Sequence, residues 1–241
     1  MRKIQEYYEK IIVTKHVTEV FRYEKLNTKG GGLREGNGRD RENNYRNTQR
    51  QRRARIRQLV TQNFDNTSKF VTLTFDDQRE FDIRDPLACN RYFRLFVMRL
   101  KHRHPGLKYV AVIEFQDKNG RGAVHYHMIC NLPFIEKAEL AKIWGGGFVK
   151  INAIDKVDNI GAYVVKYMTA DMDDTRLQGK SAYLHSRGLE EPVELTTWKG
   201  DTLEWREVHE SLKSKTPSYS AKYESANAGK VEYIQYNSIR K

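Results

Sequence analysis

Ile113-Glu-Phe-Gln-Asp-Lys-Asn-Gly-Arg-Gly-Ala-Val-His-Tyr-His-Met-Ile129 decides how the chain folds. Two apolar runs flank Asn119-Gly120, a dipeptide that favours a tight hairpin because both of its residues tolerate positive φ. A two-residue loop places Lys118 opposite Arg121, Glu114 opposite His125 and Val112 opposite His127. Residues two apart on a strand face the same way, so His125 and His127 share a face, and direct pairing adds Glu114 to it. Two imidazoles and a carboxylate thus converge from one rigid hairpin. Such a set suits a divalent cation with positions left open for phosphate or water. Carboxylate with imidazole fits Mg²⁺ or Mn²⁺, and Zn²⁺ is also compatible. The alternative is a pair of half-exposed strand histidines with no ligand. A longer loop or a bulge would move Glu114 off the face.

Working outward, Phe70-Val-Thr-Leu-Thr-Phe75 is β-branched and aromatic and reads as a strand. Asp85-Pro86 opens a helix over Leu87 to His104, which stops at Pro105-Gly106. Tyr109–Gln116 and Val124–Leu132 are the hairpin strands. Ile135 to Trp144 reads as a short helix, broken by Gly145-Gly-Gly147, and Phe148 to Ile154 as a strand. Asp155 caps a helix running to about Ala170. The order β-α-β-β-α-β-α predicts an α+β fold, a central antiparallel sheet with flanking helices of the ferredoxin-like or RRM-like kind. His102-Arg-His104 is a second His-x-His, but it sits at a helix C-terminus. Positions two apart diverge there, so it takes no metal role.

Asn159-Ile-Gly-Ala-Tyr-Val-Val-Lys-Tyr-Met-Thr169 is the second constellation. Val157, Ile160, Gly161, Val164 and Met168 form an apolar stripe at helical spacing. Tyr163 and Tyr167, four apart, line one flank of it, with Lys166 nearby. A tyrosine is a competent nucleophile toward phosphate when a cation lowers the charge barrier. The plainer reading is that both tyrosines are packing residues.

The rest of the chain sets the partner class. Lys plus Arg number 43 against 31 Asp plus Glu, a net charge of +12, with a pI near 9.6. That excess favours a polyanionic partner, nucleic acid first. A mean hydropathy of −0.78 and the absence of any long apolar run exclude an integral membrane protein. The two cysteines, Cys89 and Cys130, do not form a disulfide framework. No apolar leader follows Met1, so the expected location is a reducing cytoplasm. Residues 1–26 mix aromatic and charged residues. A Gly-rich stretch from Thr28 to Gly38 reads as a mobile loop, and Asn47 to Val60 as a basic helix carrying Arg50, Arg52, Arg53, Arg55 and Arg57. Beyond Ser181 the chain is polar, with strand-like pieces at Val193–Trp198 and Val231–Tyr236. The expected division is a basic N-terminal arm (1–64), a core (65–175) and a polar C-terminal extension (176–241).

These residues together resemble a known family, the HUH endonucleases. Within it the likeness is to rolling-circle replication initiators of plasmids and single-stranded DNA phages, of the two-tyrosine type. Phe70–Phe75 is similar to the family's first motif, a strand of the central sheet. His125-Tyr-His127 resembles the metal motif, with Tyr126 in the middle hydrophobic position. Tyr163-Val-Val-Lys-Tyr167 resembles the nucleophile motif. The resemblance covers residues 65–175.

It implies that His125, His127 and Glu114 hold one Mg²⁺ or Mn²⁺ that polarises a scissile phosphate of single-stranded DNA. Tyr163 would attack to give a 5′-phosphotyrosine and a free 3′-OH for a polymerase. Tyr167 would perform a second transfer, and Lys166 would orient the phosphate. Arg50, Arg52, Arg53, Arg55 and Arg57 are then expected on DNA phosphates, against a duplex or hairpin at a replication origin. Thr72 and Thr74 would meet the single strand. Gly179-Lys-Ser181 ends like a P-loop, but Asp174 stands where its first Gly belongs, so a separate host helicase is expected. The competing readings are a HUH transposase or mobilisation relaxase, and a non-catalytic RNA- or DNA-binding module.

Overall fold

The computed structural model describes residues 5–29, 38–117, 120–154, 160–168, 174–177, 179–181, 183–196, 202–225 and 228–238. It describes the side chains of these except 5–7, 28–29, 38–47, 162 and 166–168. Most of the Gly-rich stretch, Lys118-Asn119 of the hairpin turn and the expected Asp155 cap lie outside the described residues. In chain order the elements begin with β1 (Gln5–Val13), β2 (Val17–Lys29), α1 (Gly38–Asn63), β3 (Lys69–Thr74) and α2 (Pro86–Arg103). They continue with β4 (Tyr109–Gln116), β5 (Ala123–Cys130), α3 (Lys137–Trp144), β6 (Val149–Ala153) and α4 (Ile160–Met168). The last are β7 (Tyr183–His185), β8 (Val193–Thr196), α5 (Leu203–Leu212), β9 (Tyr219–Ser225) and β10 (Gly229–Asn237). The fold is α+β, with two five-stranded antiparallel sheets.

Two compact units divide the chain: Arg46–Glu190, and Met1–Tyr45 with Glu191–Lys241. These limits differ from the segment limits read from composition, for a packing reason. The second half of α1 buries Ile56, Leu59 and Val60 in the larger core, and β7 pairs with β4. Both therefore belong with the central segment. The strand-like pieces of the tail join a different sheet, ordered β8-β1-β2-β10-β9. Its small core gathers Ile11, Val20, Leu195 and Leu212 of α5. Strands β1 and β2 escape a reading by apolar blocks because their interior residues alternate with Glu, Lys and Arg.

The Arg46–Glu190 sheet runs β6-β3-β5-β4-β7. Within the β-α-β-β-α-β run its first four strands stand in the order fourth, first, third, second, which is the ferredoxin-like arrangement. Helix α2 begins as its sequence foretells. The Asp85 carboxylate accepts from the Leu87 and Ala88 N–H groups at 3.0 and 3.1 Å, with Pro86 in the first turn. Its buried stripe, Cys89, Phe93, Phe96 and Leu100, meets one face of the sheet. Phe93 stacks on Tyr126 at 4.4 Å, and the Tyr126 hydroxyl donates to Asn90 Oδ1 at 2.8 Å. Burial raises the Tyr126 pKa well above its ordinary value. His102 is exposed in the last turn of α2 and His104 is its C-cap, away from any metal cluster among the described residues.

The opposite face of the sheet receives α4, which crosses α1 closely at Gly161. A Cβ there would lie 2.5 Å from Thr61 Cγ2 and 2.9 Å from Arg57 Cγ. The basic helix is longer than its sequence suggested, 26 residues from Gly38 to Asn63.

Candidate active site

The hairpin register places the chemistry. Strands β4 and β5 pair Glu114 with His125 and Val112 with His127, and β3 pairs Thr74 with His125 and Thr72 with His127. No bulge interrupts either ladder, so Glu114, His125 and His127 stand on one face while Tyr126 turns into the core on the other. Glu114 Oε2 lies 2.9 Å from His125 Nε2 and also contacts His127 Nε2. One donor atom from each of the three residues lies within 4.8 Å of the others. That is close to the span that bonds of about 2.1 Å to one cation can bridge. The hydrogen bond from His125, and then that from His127, hold the Glu114 carboxyl well below the usual carboxylate range. It is therefore ionised and available as a ligand. Two imidazole nitrogens and one carboxylate oxygen fit a divalent cation with coordination positions to spare.

The two histidines are oriented differently. Thr72 Oγ1 lies 3.1 Å from His127 Nδ1. With Nε2 serving as ligand, Nδ1 carries the proton and donates to Thr72, which fixes both tautomer and ring plane. Phe70 stacks on His127 at 5.5 Å and adds a second constraint. His125 Nδ1 is buried and finds no hydrogen-bond partner among the described residues.

Phe70 also links the triad to the tyrosine helix. Its ring meets the edge of Tyr163 at 5.8 Å, with the planes at 82°. A single ring therefore separates Tyr163 from His127. Tyr163 is half-buried on α4, against β4 and β5. Lys166 and Tyr167 lie on the same helix, and their side chains are outside the described set.

The segment after α4 is tied down independently. Arg176 bridges Asp117 Oδ1 and Oδ2 at 2.9 and 2.5 Å and Asp174 Oδ1 and Oδ2 at 2.8 and 2.5 Å. Its guanidinium lies 3.6 Å over the Phe115 ring. Asp174, which breaks the P-loop pattern, is thus an ion-pair partner. Asp117 follows the end of β4, so this clip joins the chain beyond the tyrosine helix to the strand bearing Glu114.

The five arginines of α1 divide by exposure. Arg50 is exposed, whereas Arg52, Arg53, Arg55 and Arg57 are half-buried. Arg57 lies against Gly161, so part of this run serves helix packing through its aliphatic stems. The sequence pattern of Thr72 and Thr74 suggested strand contacts. In the fold Thr72 is engaged with a candidate ligand, and the Thr74 carbonyl accepts from Trp144 Nε1 at 3.2 Å. Phe70 and Thr72 were hidden as active-site residues because a strand motif does not say which side chain will meet a partner 55 residues away. Cross-strand pairing alone reveals it.

A two-histidine, one-carboxylate cluster beside a tyrosine helix on an antiparallel sheet defines a metal-binding site within reach of a nucleophile. Residues 68–172 match the family model of the replication-associated protein ORF2, which supports a Rep-like protein. The match runs from the start of β3 to just past α4, so it contains the triad and the tyrosine helix. No curated protein and no solved structure matches the chain. The Arg46–Glu190 unit also carries most of the positive charge. It has 25 Lys plus Arg against 16 Asp plus Glu, nine of the chain's twelve net charges. Among the described residues, no helix is long and apolar enough to cross a membrane.

Proposed function

We propose that this protein is a HUH endonuclease of the two-tyrosine type, a site-specific nickase and strand transferase that initiates rolling-circle replication. The observation that carries the reading is the convergence of Glu114, His125 and His127 beside Tyr163, one ring away across Phe70.

A divalent cation held by the triad, Mg²⁺ or Mn²⁺, supplies Lewis-acid neutralisation of the scissile phosphate. Tyr163 Oη attacks phosphorus, loses its proton to solvent and forms a P–O bond to the 5′ side. The P–O3′ bond breaks, and O3′ takes up a proton to leave as a free hydroxyl. Thr72 holds His127 in its ligating tautomer. Phe70 keeps the nucleophile's ring at a fixed distance from the ligands. Lys166 orients the phosphate, and Tyr167 attacks in a second transfer that closes or renews the cycle. The arginines of α1 contact a duplex or hairpin at the origin. A cytoplasmic helicase unwinds the duplex, and a DNA polymerase extends the 3′-OH.

The test incubates the protein with a pooled random single-stranded DNA library and Mn²⁺, then runs a denaturing gel for a covalent protein–DNA band. Wild type is expected to form a band that EDTA abolishes and Tyr163→Phe loses. A band kept in Tyr163→Phe and lost in Tyr167→Phe exchanges the two roles. DNA retained without any adduct, and equally in EDTA, refutes the nuclease in favour of a binding module.

A further inference from the structure

We infer that Phe148 and Lys150, with Lys137, form a stacking subsite for a nucleotide flanking the scissile phosphate; this rests on the nuclease reading above. Strand β6 pairs with β3 in the register Thr72↔Lys150 and Leu73↔Val149. The Thr74 N–H donates to the Phe148 carbonyl at 2.9 Å, which extends the ladder by one residue. Alternation then puts Phe148 and Lys150 on the triad's face. Phe148 shares a cross-sheet row with Thr74, His125 and Glu114, and Lys150 shares one with Thr72 and His127. Val149, between them, is buried toward the opposite layer.

Core-forming strands do not leave such residues bare without cause. Phe148 is 57% exposed although its neighbours in the ladder are covered. Lys150 is exposed, with no hydrogen bond or ion pair among the described residues. Lys137 Nζ sits 4.8 Å from the centroid of the Phe148 ring. An exposed aromatic ring with two ammonium groups matches a single-stranded nucleotide, whose base stacks on the ring while its phosphate meets the cations. Two strand spacings of about 4.8 Å separate this row from the histidines. That is a reach of one or two nucleotides along an extended strand.

The platform is built rigidly. Gly147 has φ of +139°, and a Cβ there would fall 2.5 Å from Asp76 N and 2.6 Å from Thr74 O. Only glycine lets this turn press against the end of β3. The Asp76 N–H donates to the Gly146 carbonyl at 2.9 Å, and Arg79 Nη1 donates to the Gly145 carbonyl at 2.8 Å. Phe148 therefore leaves a turn fixed at both ends, which lowers the entropy lost when a base stacks on it.

The test measures fluorescence anisotropy of labelled oligo(dT)20 with the full chain in EDTA, over a salt series. Phe148→Ala is expected to weaken binding at least about fivefold, and Phe148→Tyr to restore it. Lys150→Ala is expected to reduce the slope of log K against log salt by about 0.7. Phe134→Ala removes a ring that is 80% exposed elsewhere and serves as the control, expected to bind as wild type. Thermal melts of each variant show that the fold is intact. Wild-type affinity in Phe148→Ala, or an equal loss for a 20-base-pair duplex, overturns the subsite, since a paired base cannot stack on the ring. An adduct-forming wild type whose Phe148→Ala variant binds normally refutes the subsite alone. A Phe148-dependent affinity without any adduct keeps the subsite and refutes the nuclease.

Discussion

Gly161→Ala tests how tightly the tyrosine helix is seated. Alanine in a helix interior is favoured over glycine by about 0.5–1 kcal/mol, so on propensity alone the variant should be more stable. The crossing with α1 reverses the sign. The new methyl would stand 2.5 Å from Thr61 Cγ2, 2.9 Å from Arg57 Cγ and 3.1 Å from the Arg57 carbonyl oxygen. Arg57 can swing its stem aside, but the carbonyl is helix backbone. Thr61 is buried, and its hydroxyl is committed to the Arg57 and Gln58 carbonyls at 3.0 and 3.1 Å. Overpacking of this kind costs about 1–3 kcal/mol. The expected net loss is about 1–2 kcal/mol, a fall in Tm of roughly 3–6 °C for a protein of this size. Adduct formation should fall as well, because relief comes by moving α4, and Tyr163 with it, away from Phe70. Mn²⁺ affinity should stay unchanged, since the ligands are on β4 and β5. Gly106→Ala, where nothing lies within 4 Å, is the control. Urea melts and the covalent-adduct assay measure both quantities. A Gly161→Ala protein as stable as wild type or more so would refute the tight crossing.

Thr72→Val should weaken Mn²⁺ binding about 10- to 100-fold by releasing His127 from its tautomer, and Thr72→Ser should restore most of it. Calorimetry reads this without DNA, and equal affinity in Thr72→Val would remove Thr72 from the site. The acid limb of stability is the third expectation. Hydrogen bonding to Arg176 holds Asp174 below its ordinary pKa, and the backbone N–H of Leu87 does so for Asp85. Folded values below unfolded ones give stability that is complete above about pH 4–4.5 and is lost as pH falls through the folded values. The melting temperature should therefore hold from pH 7 to about pH 5 and drop in stronger acid. Asp174→Asn should lower the plateau and flatten the drop, and an unchanged acid limb would contradict the clip.

The hairpin was legible in the sequence for a physical reason. Asn119-Gly120 between two apolar runs allows few registers, and pairing Glu114 with His125 satisfies both turn and burial pattern, as the ladder bears out. Asp85-Pro86 likewise states its own helix start. The second sheet was illegible because its strands pair across most of the chain. Arg22 meets Glu232 at 3.2 Å, 210 residues away, and no local pattern encodes such a partner. Thr72 and Phe148 were hidden for a related reason. Each is an ordinary strand residue until the neighbouring strand fixes what lies beside it.

That long-range pairing also sets the order of events on the ribosome. The residues from Arg46 to Glu190 emerge as one uninterrupted run, and their sheet can close while synthesis continues. Strand β2 emerges early, yet one of its edges waits for β10. At about 5–20 residues per second, the 210 residues between Arg22 and Glu232 take about 10–40 s to appear. During that interval the nascent chain carries an open strand edge, the kind of surface that recruits stray strands or chaperones. The alternating Glu, Lys and Arg residues of β1 and β2, which conceal these strands from a reading by apolar blocks, also act as gatekeepers that keep the waiting edge soluble.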